Sequence, residues 1–267
     1  MTRTKALYSF LALMAGTSLF TVPAAAQKTG NWIALDTAPA GTPADIKLDK
    51  AASNPTYTAL DIYIHGFYVE TKQGPDGSYS KVTVPGMGTI SQTGAPSLPA
   101  ARLQFAIVTS SDVLKLAVNK PDSIKRYTNI NVWPQPISET DEGTGSPEVF
   151  KKDTAIYGSK GPWPASTVAP SSRLASKLGS IKGLSTEVYP MQWDPSSRVF
   201  QVAGHTRLEF SHPGTAARQN PITKERYTLA QKTFINWSVV GAYSPANIVF
   251  YEGDFLCNDT VPLGAPV

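Results

Sequence analysis

The chain has 267 residues, a formal net charge of +4, three histidines and one cysteine, with 41% hydrophobic and 10% aromatic residues. That length suits one large all-β domain or two small ones. A single cysteine excludes an internal disulfide, so an ordinary hydrophobic core must hold the fold. The lysines and arginines form no cluster beyond pairs such as Lys125-Arg126 and Lys151-Lys152, which argues against nucleic-acid binding.

The chain opens with a secretory pattern. Arg3 and Lys5 precede an uncharged, largely apolar run from Ala6 to Val22, and Ala24-Ala25-Ala26 supplies small residues for cleavage before Gln27. The run is short of the roughly 20 residues that a membrane span needs. The expectation is a signal peptide over 1–26, export to the periplasm or the medium, and no stable membrane insertion afterwards. Removing 1–26 leaves 22 basic and 20 acidic residues, a net charge of +2.

Residues 27–56 show little periodicity and read as an extended lead-in with one short strand at Trp32–Leu35. From Tyr57 the pattern changes. Leu60, Ile62 and Ile64 alternate with Asp61, Tyr63 and His65, the period of a half-buried strand. Pro75 and Gly77 in "GPDGS" make a turn, and "YSKVTVPG" returns, so Leu60–Gly86 reads as a hairpin. "PGMGTISQTGAPSLP" then leads into "AARLQFAIV", where Leu103, Phe105 and Ile107 share one face. Leu114, Leu116 and Val118 repeat the alternation around Lys115, and Ile130 and Val132 repeat it again before the break at "WPQP".

Residues 134–172 are poor in regular pattern and hold the acidic "SETDEGTGSP" and the proline-rich "SKGPWPASTVAP". A stretch this long without secondary structure is uncommon and often functional. Order returns at Glu187. "EVYPMQW" and "SRVFQVA" are joined by a turn at "DPSS", and "HTRLEFS" adds a strand. Tyr227, Ala230, Phe234 and Trp237 are spaced for an amphipathic helix of about four turns ending at Gly241. The expected fold is mainly β: one antiparallel β-sandwich over 57–241 with a short C-terminal amphipathic helix and a tail over 242–267.

Motifs for chemistry are missing. His65, His205 and His212 have no ligand-spaced neighbours, there is no HExxH, CxxC or GxSxG, and "GMGTISQTG" lacks the Walker lysine and precedes a strand. The histidines read as exposed strand or turn residues. A Cys257/His dyad has no supporting local motif. Trp133, Trp163 and Trp193 form either a sugar-stacking platform or caps on the core. Neither a catalytic residue nor a metal or other cofactor is expected.

Three segments resemble the propeptide domain of gingipain-type cysteine peptidases, the C25 family. They are "GAPSLPAARLQFAIV", then "NVWPQPISE" followed by "FKKDTAIYGSKGPWPASTV", then "LGSIKGLSTEVYPMQWDPSSRVFQVAGHTRLEF". Together they span roughly 57–240. The resemblance implies a β-sandwich prodomain that assists folding of a peptidase and keeps it latent by placing a basic residue in the substrate pocket. No segment here resembles the peptidase domain, so the expectation is a non-enzymatic chain whose partner is a separate cysteine peptidase. The segment 138–164 is then the candidate contact loop, and Lys151, Lys152 and Lys160 are its basic residues. The alternative is an exported envelope or cell-surface β-sandwich that binds a glycan or surface polymer through an aromatic groove at Trp133 or Trp163, with no peptidase partner.

Overall fold

The computed structural model describes residues 30–110, 113–137, 149–169, 173–178 and 181–243. Residues 1–26, expected to be a signal peptide, Cys257, residues 138–148 of the candidate loop and the tail beyond 243 lie outside the described residues.

The strands, in chain order, are β1 (Asn31–Ala34), β2 (Asp45–Asn54), β3 (Tyr57–Tyr63), β4 (Gly66–Gly74), β5 (Gly77–Thr83) and β6 (Gly88–Thr89). They continue as β7 (Pro99–Ile107), β8 (Lys115–Tyr127), β9 (Arg173–Leu178), β10 (Ile181–Val188), β11 (Met191–Asp194) and β12 (Val199–Ser211). Short helices follow the irregular segments: α1 (Thr154–Tyr157), α2 (Lys224–Thr233) and α3 (Trp237–Val240). Three sheets form, ordered β1-β4-β5, β6-β7-β10-β9 and β11-β12-β3-β2, with β8 on the other edge of β12. Every strand-to-strand pairing among them is antiparallel. The chain is therefore mainly β, as its alternation implies.

One core joins the sheets. Leu60 and Ile62 from β3, Phe67 from β4, Val82 from β5, Leu103 and Phe105 from β7, and Phe200, Leu208 and Phe210 from β12 are buried together. The Phe105 and Phe210 rings lie 5.0 Å apart. Each such side chain contributes about 1.5–3 kcal/mol by leaving water. The C-terminal end of β7 is buried on both faces, because Ala106 joins a second cluster with Val108, Ile181, Phe234 and Trp237 beneath α2 and α3.

Several elements differ from the reading of the sequence. The expected strand over Leu60–Glu70 divides at Ile64–His65, so β5 pairs with β4 and β3 belongs to another sheet. The break is steric: a Cβ on Gly66 would sit 2.3 Å from the Trp32 ring, so only glycine lets β1 close over β4. Leu116, expected inward, is 40% exposed, because β8 pairs with β12 alone and runs along the rim of the core. The strand at "SRVFQVA" and the strand at "HTRLEFS" are one, continuous through Gly204. Within the lead-in, β1 and β2 are paired strands of two sheets. Order also resumes earlier than Glu187, since β10 sits between β7 and β9 despite its small residues Gly183, Ser185 and Thr186.

The C-terminal helix is shorter than its periodicity suggests. It ends at Phe234, whose backbone is extended, and α3 restarts at Trp237. The interruption serves the open edge of β7. The amide of Ile235 donates to the Gln104 carbonyl at 2.9 Å, and Ala217 donates to Val108 at 2.9 Å. Between them the side chain of Asn236 bonds both backbone groups of Ala106. A sheet edge that a continuous helix would leave bare is thus satisfied.

Candidate functional site

The segment 149–164 is bonded at several points to the rest of the domain. Asp153 caps α1, its carboxylate accepting from the amides of Ala155 at 2.9 Å and Ile156 at 3.2 Å. Gly158 closes the turn by donating to the Thr154 carbonyl at 3.0 Å. Ser159 donates from both its amide, at 3.1 Å, and its hydroxyl, at 2.7 Å, to the carbonyl of Ile156. Lys160 follows and is exposed. Gly161 reverses the chain at φ +89°, with open space around it. On the return, Trp163 and Trp193 exchange two backbone hydrogen bonds of 2.8 Å.

Two devices hold this segment. The first is Lys152, whose ammonium pairs with the Asp76 carboxylate in the β4–β5 turn and donates to the Tyr79 hydroxyl at 3.2 Å. It also lies over the rings of Tyr79 and Tyr157, 5.9 and 5.8 Å from their centroids. The hydrogen bonds from Lys152 and then Tyr79 hold the Asp76 carboxyl below its ordinary range. The same contacts, Asp76 first, raise the Lys152 ammonium. Tyr157 anchors α1 from beneath: its hydroxyl donates to the Val132 carbonyl at 2.7 Å, and its ring lies 5.1 Å from Trp193. Burial pushes its phenol well up.

The second device is "GAPSLP". Gly94 donates to the Gln135 carbonyl at 2.8 Å and accepts from the Asp153 amide at 2.9 Å, so it touches both flanks of the 136–152 stretch. The neighbouring residues add Gln135 N–H to the Ala95 carbonyl at 2.7 Å and Ser97 N–H to the Trp133 carbonyl at 2.8 Å. Gly94 adopts φ +80°, and a Cβ there would press on the Asp153 amide at 3.1 Å. Rings of Tyr79, Trp133 and Phe150 pack the base at 5.1–5.7 Å.

The three lysines of the candidate loop therefore occupy different environments. Lys152 is committed to Asp76, whereas Lys151 and Lys160 are exposed and form no ion pair among the described residues. Pairing with a turn 76 residues away leaves no signal in local sequence.

The histidines also separate. The ring of His65 contacts Asp36 at 2.6 Å, and that of His205 contacts Asp61 at 2.9 Å. His212 is buried, at 1% exposure, which corrects its reading as a surface residue. It extends the inward series Leu208, Phe210, His212 past the end of β12, and that i, i+2 spacing was the signal available in the sequence. Its Nε2 lies 2.8 Å from the Thr58 hydroxyl, while Nδ1 has no partner among the described residues. Burial lowers its pKa to about 4. Trp133 and Trp193 are core residues and only Trp163 is half-buried, so the three do not make a platform.

Among the described residues, no group of three His, Cys, Asp or Glu could hold a metal ion, and no helix is long and apolar enough to cross a membrane.

The family model Propeptide_C25 matches residues 59–242. Among solved structures, the chain resembles the complex of Porphyromonas gingivalis RgpB pro- and mature domains, with 14% identity over 72% of this chain and 96% of that chain and a TM-score of 0.58. It also resembles a structure that addresses the zymogenic latency of gingipain K from Porphyromonas gingivalis, with 15% identity over 68% of this chain and 97% of that chain and a TM-score of 0.53. At these identities the likeness carries the fold. No curated protein sequence matches.

Proposed function

The chain belongs to the C25 propeptide family, and from that premise we propose that it is an exported, non-catalytic partner of a gingipain-type cysteine peptidase, which it keeps latent or helps to fold. The family match over 59–242 is the observation that carries the reading. The geometry of segment 149–164 supports a mechanism for it. A pocket that selects cationic side chains would receive a lysine, and Lys160 stands exposed in a segment whose two ends are hydrogen-bonded to the body. A segment already ordered loses little entropy on docking, so more of the contact energy appears as affinity. Lys151 is the other exposed candidate, and Lys152 acts by fixing the segment.

The test is inhibition in trans. The chain from Gln27 onward is mixed with a mature C25-type peptidase from the same source, and co-elution and the inhibition constant are measured. Tight inhibition is expected, weakened at least about tenfold by Lys160→Ala, since one central contact carries much of a typical interface. Absence of both inhibition and co-elution with such a peptidase would refute the proposal. Loss through Lys151→Ala but not Lys160→Ala would move the contact to Lys151.

A further inference from the structure

Beyond Lys160 the chain passes through Trp163–Ser166 and leaves a groove of about 580 Å³ against the Ile90–Gln92 segment, with Glu187 and Tyr189 also lining it. The volume falls within the range of small-ligand sites. A second hollow of about 330 Å³ shares Ser91 and Glu187 with it and extends it toward Arg102.

The lining is chemically mixed. Trp163, Pro164 and Ile90 supply apolar surface, while Ser91, Gln92 and Ser166 supply hydroxyls and an amide. Glu187 is held from two sides: Arg102 donates to Oε1 at 2.9 Å and the Tyr189 hydroxyl donates to Oε2 at 2.9 Å. Its side chain remains 27% exposed, and each carboxylate oxygen has more than one acceptor site. Arg102 pairs with this carboxylate as its cation.

Several main-chain groups around the groove are already engaged. Trp163 pairs with Trp193, Ala169 donates to the Glu187 carbonyl at 2.8 Å, Tyr189 donates to Thr167 at 2.7 Å, and Ile90 donates to Leu98 at 3.0 Å. A peptide that docks by adding a strand needs a free backbone edge, and these four positions do not offer one. What remains is an aromatic wall beside a fixed carboxylate, an amide and hydroxyls.

We propose that this groove binds a neutral saccharide, with Trp163 packing against ring C–H groups and Glu187 and Gln92 bonding ring hydroxyls. The site is independent of the peptidase reading, which inhibition assays test separately. The probes are maltotriose, cellotriose and chitotriose, titrated into the ¹⁵N-labelled chain from Gln27 onward. At least one should bind with a dissociation constant on the order of 1 mM and shift the Trp163 indole and Gln92 amide signals. Trp163→Ala should abolish binding. Because Trp163 also touches the core, Gln92→Ala, at an exposed position, serves as the variant that leaves folding intact and should weaken binding several-fold. Absence of binding by all three sugars at about 20 mM, a concentration well above that expected constant, would overturn the proposal. So would binding unchanged by both substitutions.

Discussion

The side chain of Asn236 stands in for a β-strand at Ala106: its oxygen accepts from the Ala106 amide at 2.8 Å and its nitrogen donates to the Ala106 carbonyl at 2.9 Å. The same nitrogen lies 3.5 Å from the Thr58 hydroxyl, which in turn contacts His212. One buried polar chain thus ties the C-terminal helices to β7, β3 and the end of β12.

Replacing Asn236 with alanine strands a buried donor and a buried acceptor. Each unmet group costs about 1–3 kcal/mol, so urea denaturation should show a loss of roughly 2–6 kcal/mol. A loss near zero would mean that water or a shifted backbone takes over the role.

His212 makes stability depend on mild acid. Its folded pKa of about 4 lies below its unbound value of 6.5, so the unfolded chain takes up the proton first as pH falls. The contribution is intact above pH 6.5 and declines until about pH 4. The expected loss is about 2 kcal/mol between pH 7 and 5. His212→Gln should flatten that slope in denaturation series at the two pH values, whatever it does to stability at pH 7.

Gly94→Ala should destabilise the domain, because φ +80° is costly for any residue with a Cβ and the added carbon meets the Asp153 amide. The backbone term alone is about 1–2 kcal/mol. Chemical denaturation reads the total. Hydrogen exchange at Asp153, whose amide bonds Gly94, should rise beyond the global change.

Lys152→Met should leave the melting temperature nearly unchanged, since its pair with Asp76 is solvent-screened. It should nonetheless speed hydrogen exchange over residues 153–160. Asp76→Asn should act similarly, and the double variant should add little, because both remove the same contact. Additive effects would show that the two residues act separately.

Local pattern made the inner strands legible. Leu103, Phe105 and Ile107 alternate cleanly because β7 faces a core, and the Asp194 turn between β11 and β12 follows from a side chain bonding the Ser196 amide at 2.9 Å. Elsewhere the pattern misleads for identifiable reasons. Leu116 looks inward by alternation, but β8 is exposed along nearly its whole length, Leu116 included. Phe234 and Trp237 keep helical spacing across a break, because both bury into one cluster although the backbone between them is diverted to β7. Lys151, Lys152 and Lys160 are equivalent in sequence and differ only in what stands nearby.

The sequence by itself determined the β class, the turn positions and, through three ordered segments, the resemblance to C25 propeptides, because alternation and turn chemistry are local and the segments keep their order. Only the tertiary structure decided that Lys152 is a fastening and Lys160 is exposed, that His212 is buried, and that "GAPSLP" seats both flanks of the candidate loop. Those properties depend on partners brought together from distant parts of the chain, such as Asp76 with Lys152 and Gly94 with Asp153.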